Sequence, residues 1–169
     1  MKKIQWSERT FTFKHSEGML PFFIDRLEGS VVRLERRVSG IRENLLSATL
    51  EGKWSVKQNI GHLTEVDEVG LKRIDEIING VSPMSPAVFE LKVDYNTLSI
   101  SKLLEDFALG RQRVLRALHS LGDTDLNKES MHPRLKVTMT PVDLAFFTAE
   151  HDDHHLVRIN EIIAAGVNA

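Results

Sequence analysis

The 169-residue chain contains no cysteine, an absence that removes disulfide bonds, thiolate metal sites and a cysteine nucleophile together. It also lacks an excess of basic charge, since 22 Lys and Arg stand against 24 Asp and Glu for a formal net charge of -2. Phosphate neutralisation supplies most non-specific affinity for nucleic acid, so DNA or RNA is a poor expectation as partner. No uninterrupted apolar run approaches the ~20 residues that a membrane-spanning helix needs. The N-terminus, Met1-Lys2-Lys3-Ile4-Gln5-Trp6, has two lysines but not the apolar stretch of a secretory signal behind them. No membrane partner is expected, and the cytoplasm is the default location. Internal repeats and low-complexity tracts are absent too.

What remains is a sequence of ordinary globular balance, 41% hydrophobic and 27% charged. At this length one domain, residues 1–169, can bury a real core without disulfides or a structural metal, which leaves any bound metal free to serve function. Ile24, Leu27, Val31, Leu34 and Val38 alternate spacings of three and four, which predicts a first helix over roughly 18–39. Val56, Ile60, Leu63, Leu71, Ile74 and Ile78 trace a second, opened by Ser55 with Gln58 as its capping-box partner and closed near Asn79-Gly80. Residues 81–98 carry Pro83 and Pro86 and no sustained period, so they read as a long connection with room for a short helical turn.

Ser99 then serves as N-cap for a third helix through Leu103, Leu104, Phe107, Val114, Leu115 and Leu118, ending near Leu121-Gly122. A polar loop with His132-Pro133 follows. The last helix opens at Thr140-Pro141-Val142-Asp143, with Thr140 capping, Pro141 tolerated at the first helical position and Asp143 at the positive helix end. It is expected to run to about Ala164, before Gly166. Four amphipathic helices with no convincing strand pattern predict an all-α four-helix bundle. The long connection between helices 2 and 3 means that a simple up-down-up-down order is not forced.

The chemistry concentrates in Glu150-His151-Asp152-Asp153-His154-His155, where His151 and His155 lie four residues apart on one helical face and can chelate one ion. Leu144, His151, His155, Ile159 and Ile162 keep one inward register, which turns His154 about 100° away toward the rim. In helix 2, His62 precedes Val66 and Val69 at four and seven residues, and is the best third ligand. The same spacing is also that of two solvated side chains, and His62 alone is also the pattern of a hydrogen-bonded core histidine. His15 and His119 read as surface or helix-end residues, and Asp152 with Asp153 as a solvated acidic face.

Several separated segments are similar to one known family. Lys53-Trp54-Ser55-Val56-Lys57-Gln58-Asn59-Ile60-Gly61-His62-Leu63 resembles the Trp-Ser turn and histidine-bearing helix of DinB-like proteins. His132-Pro133-Arg134-Leu135, Met139-Thr140-Pro141 and the His151 to His155 pair resemble that family's His-Pro loop and last helix. Tyr95-Asn96 and Phe107 with Arg111 resemble its third-helix region. The resemblance implies a DinB/YfiT-like four-helix bundle with rewired connectivity, and a divalent metal, commonly zinc or nickel, on His62, His151 and His155. Two departures stand out: Lys136 where many relatives have Gly, and Arg158 where Gln is frequent.

Three neutral imidazoles would leave a cation's charge largely uncancelled and coordination positions open, as in catalytic sites. Coordinated water leads to hydrolysis and coordinated thiol to thiol transfer. By resemblance the expected activities are bacillithiol- or mycothiol-type S-transfer, or hydrolysis of a small molecule. Without cysteine, a transferase would take its thiol from solution. Arg158, three residues beyond His155, is a candidate for binding an anionic substrate group, or a surface residue. His132 is a candidate for proton transfer, or an ordinary turn residue. Glu65 is a candidate base or ligand-orienting group, with solvation as its alternative. The competing class is a non-catalytic metal-binding or stress-response protein. A homodimer is expected by resemblance alone.

Overall fold

The structure, a computed structural model, describes residues 3–88 and 90–167. Four long helices carry the fold: α1 (Leu20–Val38), α3 (Val56–Ile78), α4 (Ile100–His119) and α6 (Pro141–Val167). Two single-turn helices, α2 (Glu43–Leu46) and α5 (Asp123–Leu126), sit in the connections. Helix α1 packs on α6 and α4, and α3 packs on the same two, so α1 faces α3 across one diagonal and α4 faces α6 across the other. Two of the three steps along the chain therefore cross the bundle, and the order departs from a simple up-and-down arrangement.

The helix ends follow local chemistry. At α3 the Ser55 hydroxyl accepts from the Gln58 N–H while the Gln58 amide oxygen accepts from the Ser55 N–H, a complete capping box. Thr140 and Asp143 repeat the exchange at α6, where the Thr140 hydroxyl accepts from the Asp143 N–H and Asp143 accepts from the Thr140 N–H, both at 3.2 Å. Helix α6 does not stop near Ala164 but continues through Gly166 to Val167. Gly166 is a site of close approach here rather than a terminator, because a Cβ on it would lie 1.9 Å from Leu45 of α2.

Helix-period reasoning missed one element, a hairpin of two-residue strands, β1 (Ser130–Met131) and β2 (Thr138–Met139), paired antiparallel with Ser130 opposite Met139. The strands are too short to show an alternation in sequence. Lys136 lies in this hairpin's loop at φ 57°. That is the left-handed region glycine enters without cost, so the lysine is held there at some strain. In the long connection, Met84 is buried and its N–H donates to the Met131 carbonyl, which ties the 81–98 segment to β1.

The apolar interior is in two parts. One joins Leu20, Phe23 and Leu27 of α1 to Ile74 and Ile77 of α3 and Ala145 and Ala149 of α6. The other joins Leu34 and Val38 to Val56, Ile60 and Leu63 and to Leu156, Ile159 and Ile162. Between them on three helices lie Asp67, Arg111 and Asp152, each 1% exposed or less. The Arg111 guanidinium donates to both Asp67 oxygens at 3.0 and 2.9 Å, to both Asp152 oxygens at 2.5 and 3.1 Å, and to the Leu27 carbonyl. Asp152 is thus not part of a solvated face. Asp153, half-buried, pairs with Arg26 and Arg33 of α1.

Candidate metal centre

Helices α3 and α6, neighbours in the bundle, bring His62, His151 and His155 together although 89 residues separate the first two. The His62 Nε2 lies 3.4 Å from the His151 Nε2, which lies 3.2 Å from the His155 Nε2. Three imidazole nitrogens bound tetrahedrally to one ion at ~2.0–2.1 Å sit about 3.3–3.4 Å from one another, so this spacing suits a shared cation. One ligand atom from each of the three residues falls within 4.8 Å of the other two, and among the described residues this is the group that could hold a metal.

The protonation states agree with that use. Asn59, one turn before His62, donates its amide N–H to the Ser55 carbonyl at 2.7 Å and to the Trp54 carbonyl at 3.3 Å. Its oxygen therefore faces the His155 Nδ1 at 2.7 Å and accepts the proton there, which leaves the His155 Nε2 lone pair directed at the other two rings. Burial, followed by mutual repulsion, pushes His151 down to about 3 and His155 well below its ordinary value, and burial lowers His62 as well. The Nδ1 atoms of His62 and His151 are buried with no protein partner. A core histidine retained for packing is normally hydrogen-bonded; His62 has only another imidazole nitrogen, so that alternative does not account for it.

Both tryptophans of the chain press on these rings. Trp54, just before the α3 cap, has its ring centre 4.8 Å from that of His62 and lies within 22° of parallel to His155 at 6.2 Å. Trp6 meets His151 edge-on at 5.3 Å and His154 at 5.4 Å. The N-terminal segment reaches the site because Phe11 and Phe13 pack on Phe146 and Phe147 of α6, while Arg9 pairs with Glu150. Its alternating Thr10-Phe11-Thr12-Phe13 pattern was the available signal for an extended strap with one apolar side. His15 belongs to the same strap and is no free surface residue: its ring bonds the buried Asp143 at 2.9 Å.

The remaining sequence candidates fall in different places. Arg158 lines a cavity of about 650 Å³ together with Trp54, His154 and His155; its guanidinium donates to the Leu50 carbonyl at 2.9 Å and to Glu161 at 3.2 Å. Glu65 is buried, not solvated, and accepts from the Tyr95 hydroxyl at 2.6 Å and the Lys92 N–H at 2.8 Å. This grip holds the Tyr95 ring over Gly61, where a Cβ would come within 2.3 Å of the ring. His132 is buried away from the three histidines. Its Nδ1 accepts from the Arg134 and Leu135 N–H groups and its Nε2 faces Arg73 at 3.1 Å, and burial beside Arg73 holds it down to about 4. His154 sits half-buried at the rim, as its register requires.

Residues 26–159 match the family model of the DinB superfamily. The chain belongs to the DinB superfamily. Among solved structures, this DinB-superfamily chain is similar to YfiT from Bacillus subtilis, with a TM-score of 0.79 at 22% identity over 91% of each chain. That protein is described as a probable metal-dependent hydrolase with an unusual four-helix bundle topology. A second likeness is to a mycothiol-dependent maleylpyruvate isomerase, with a TM-score of 0.66 and 16% identity over 85% of this chain and 65% of that one. At these identities the likeness establishes the four-helix bundle fold. No curated protein matches the chain.

Proposed function

We propose that this protein is a divalent-metal-dependent enzyme acting on a small molecule, with His62, His151 and His155 as the metal ligands and zinc or nickel as the ion. The observation that carries the reading is the convergence of three neutral imidazoles at one point beside an open cavity that His155 also lines. Bound there, a divalent ion would supply Lewis acidity, lowering the pKa of a coordinated water or thiol into or below the neutral range.

The chain's own groups divide the remaining work. Asn59 keeps the proton of His155 on Nδ1, and the rings of Trp6 and Trp54 pack against the histidines and leave the cavity as the open side. Arg158 offers guanidinium donors to the substrate, while Glu65 and His132 hold the surrounding scaffold in place through Tyr95 and Arg73. Two chemistries suit this arrangement, hydrolysis and S-transfer from a soluble thiol. The description of YfiT as a probable metal-dependent hydrolase supports the first, and the mycothiol dependence of the similar isomerase supports the use of a soluble thiol in the second.

Elemental analysis after exhaustive dialysis is expected to find one divalent ion per chain, lost in a His151→Ala variant; absence of stoichiometric metal would end the proposal. Titrating a thiol into the cobalt-substituted protein then separates the chemistries. A sulfur-to-cobalt band selects S-transfer, and an unchanged spectrum selects hydrolysis.

A further inference from the structure

The family match begins at residue 26, yet the cavity beside His155 draws part of its wall from the first residues of the described chain. Lys3 and Gln5 line it together with Lys53, Trp54 and Arg158. Lys3, Lys53 and Arg158 are cations, and the lining carboxylates are Glu51 and Glu161. Glu161 is shared, accepting from the Lys3 ammonium at 2.8 Å and the Arg158 guanidinium at 3.2 Å. Glu51, with an exposed side chain, approaches Arg158 only to 3.8 Å.

We infer that the substrate of this site is a small anion carrying a carboxylate or comparable oxyanion, bound by Lys3 and Arg158, so that the N-terminal segment determines specificity. The inference rests on the reading of the adjacent histidines as the reaction centre. A single carboxylate shared between an ammonium with three donors and a guanidinium with five leaves most of those donors free for a second anion. Both cations are held in place. Glu161 and the Leu50 carbonyl fix Arg158, and Lys3 belongs to a strap anchored by Trp6, Arg9, Phe11 and Phe13. A cavity of about 650 Å³ has the size of a small-molecule site. The indole of Trp54 supplies an apolar face for the rest of the ligand.

The test uses the full chain, metal-free and metal-loaded, titrated with three probes of one length: succinate, succinamide and 1,4-diaminobutane. Intrinsic fluorescence reports binding because both tryptophans stand at the site. Succinate is expected to bind about tenfold or more tighter than succinamide, with diaminobutane weakest. Lys3→Gln is expected to remove most of that preference, as is Arg158→Gln, whereas Lys14→Gln on the exposed side of the strap preserves it. Lys3 is a partly exposed terminal residue, so its variant stays folded and decides the question even if Arg158→Gln does not. Equal affinity for succinate and succinamide, or an undiminished preference in Lys3→Gln, overturns the inference. The metal-free arm keeps this outcome separate from the metal proposal, which stands or falls on ion stoichiometry.

Discussion

The amide of Asn59 decides which nitrogen of His155 is left to meet a cation, because its own N–H groups are committed to the Ser55 and Trp54 carbonyls at the start of α3. Replacement by alanine removes the acceptor at Nδ1 and frees the ring to rotate or to place its proton on Nε2. Asn59→Ala is therefore expected to weaken zinc binding about 10- to 100-fold, measured by competition with a chromophoric chelator, with the helical circular dichroism preserved. An unchanged affinity would show that the tautomer is set elsewhere. Asn59 lay inside the sequence motif, but its part could not be read there, since an Asn at the second turn of a helix has no signature of facing an imidazole 96 residues away. The histidines themselves were legible because helical period places His151 and His155 on one face.

At the scale of elements, Arg111 joins α4 to α3 and α6 through Asp67 and Asp152, and to the backbone of α1 at Leu27. Removing the guanidinium leaves two carboxylates buried without a counter-charge, so Arg111→Leu is expected to destabilise the fold by about 3–5 kcal/mol, seen as a large drop in Tm. The triple variant Arg111→Leu with Asp67→Asn and Asp152→Asn should recover part of that loss, since the stranded charges go with it. Gly61→Ala is expected to displace the Tyr95 ring from above α3, breaking the Tyr95 to Glu65 hydrogen bond and lowering Tm, with Tyr95→Ala in the same chain restoring room. The long helices were legible because each buries a stripe at helical spacing and carries its own cap. The salt layer was not, because an acid at Asp152 looks the same in sequence whether it meets water or a buried arginine. The hairpin around Lys136 escaped for a different reason, its strands being two residues long.

For the molecule as a whole, the site sets how stability depends on pH. His62, His132, His151, His154 and His155 are all held below the ordinary imidazole value by burial, His132 and His154 to about 4 and His151 to about 3. Above pH ~6.5 each ring is neutral whether the chain is folded or not, and the folded state is at no disadvantage. As pH falls below that value the unfolded chain takes up protons that the folded one refuses, so stability declines by up to about 1.4 kcal/mol per pH unit for each fully buried ring, less for the half-buried His154. Asp67 works in the opposite sense. Burial raises its carboxyl against the pull of Arg111, so the folded chain holds that proton somewhat more tightly and regains some stability as pH falls toward the ordinary carboxyl value. One carboxyl set against five imidazoles cannot reverse the trend. The metal-free protein is therefore expected to lose denaturant midpoint steadily between pH 6.5 and about 4, and the metal-loaded protein more steeply, because protons on the ligating nitrogens also expel the ion. A midpoint that stays level from pH 7.5 to 5 would mean that the folded chain takes up protons on these rings as readily as the unfolded one, so that they are charged in the folded state by pH 5. Three mutually repelling cations could not then share one centre with a metal.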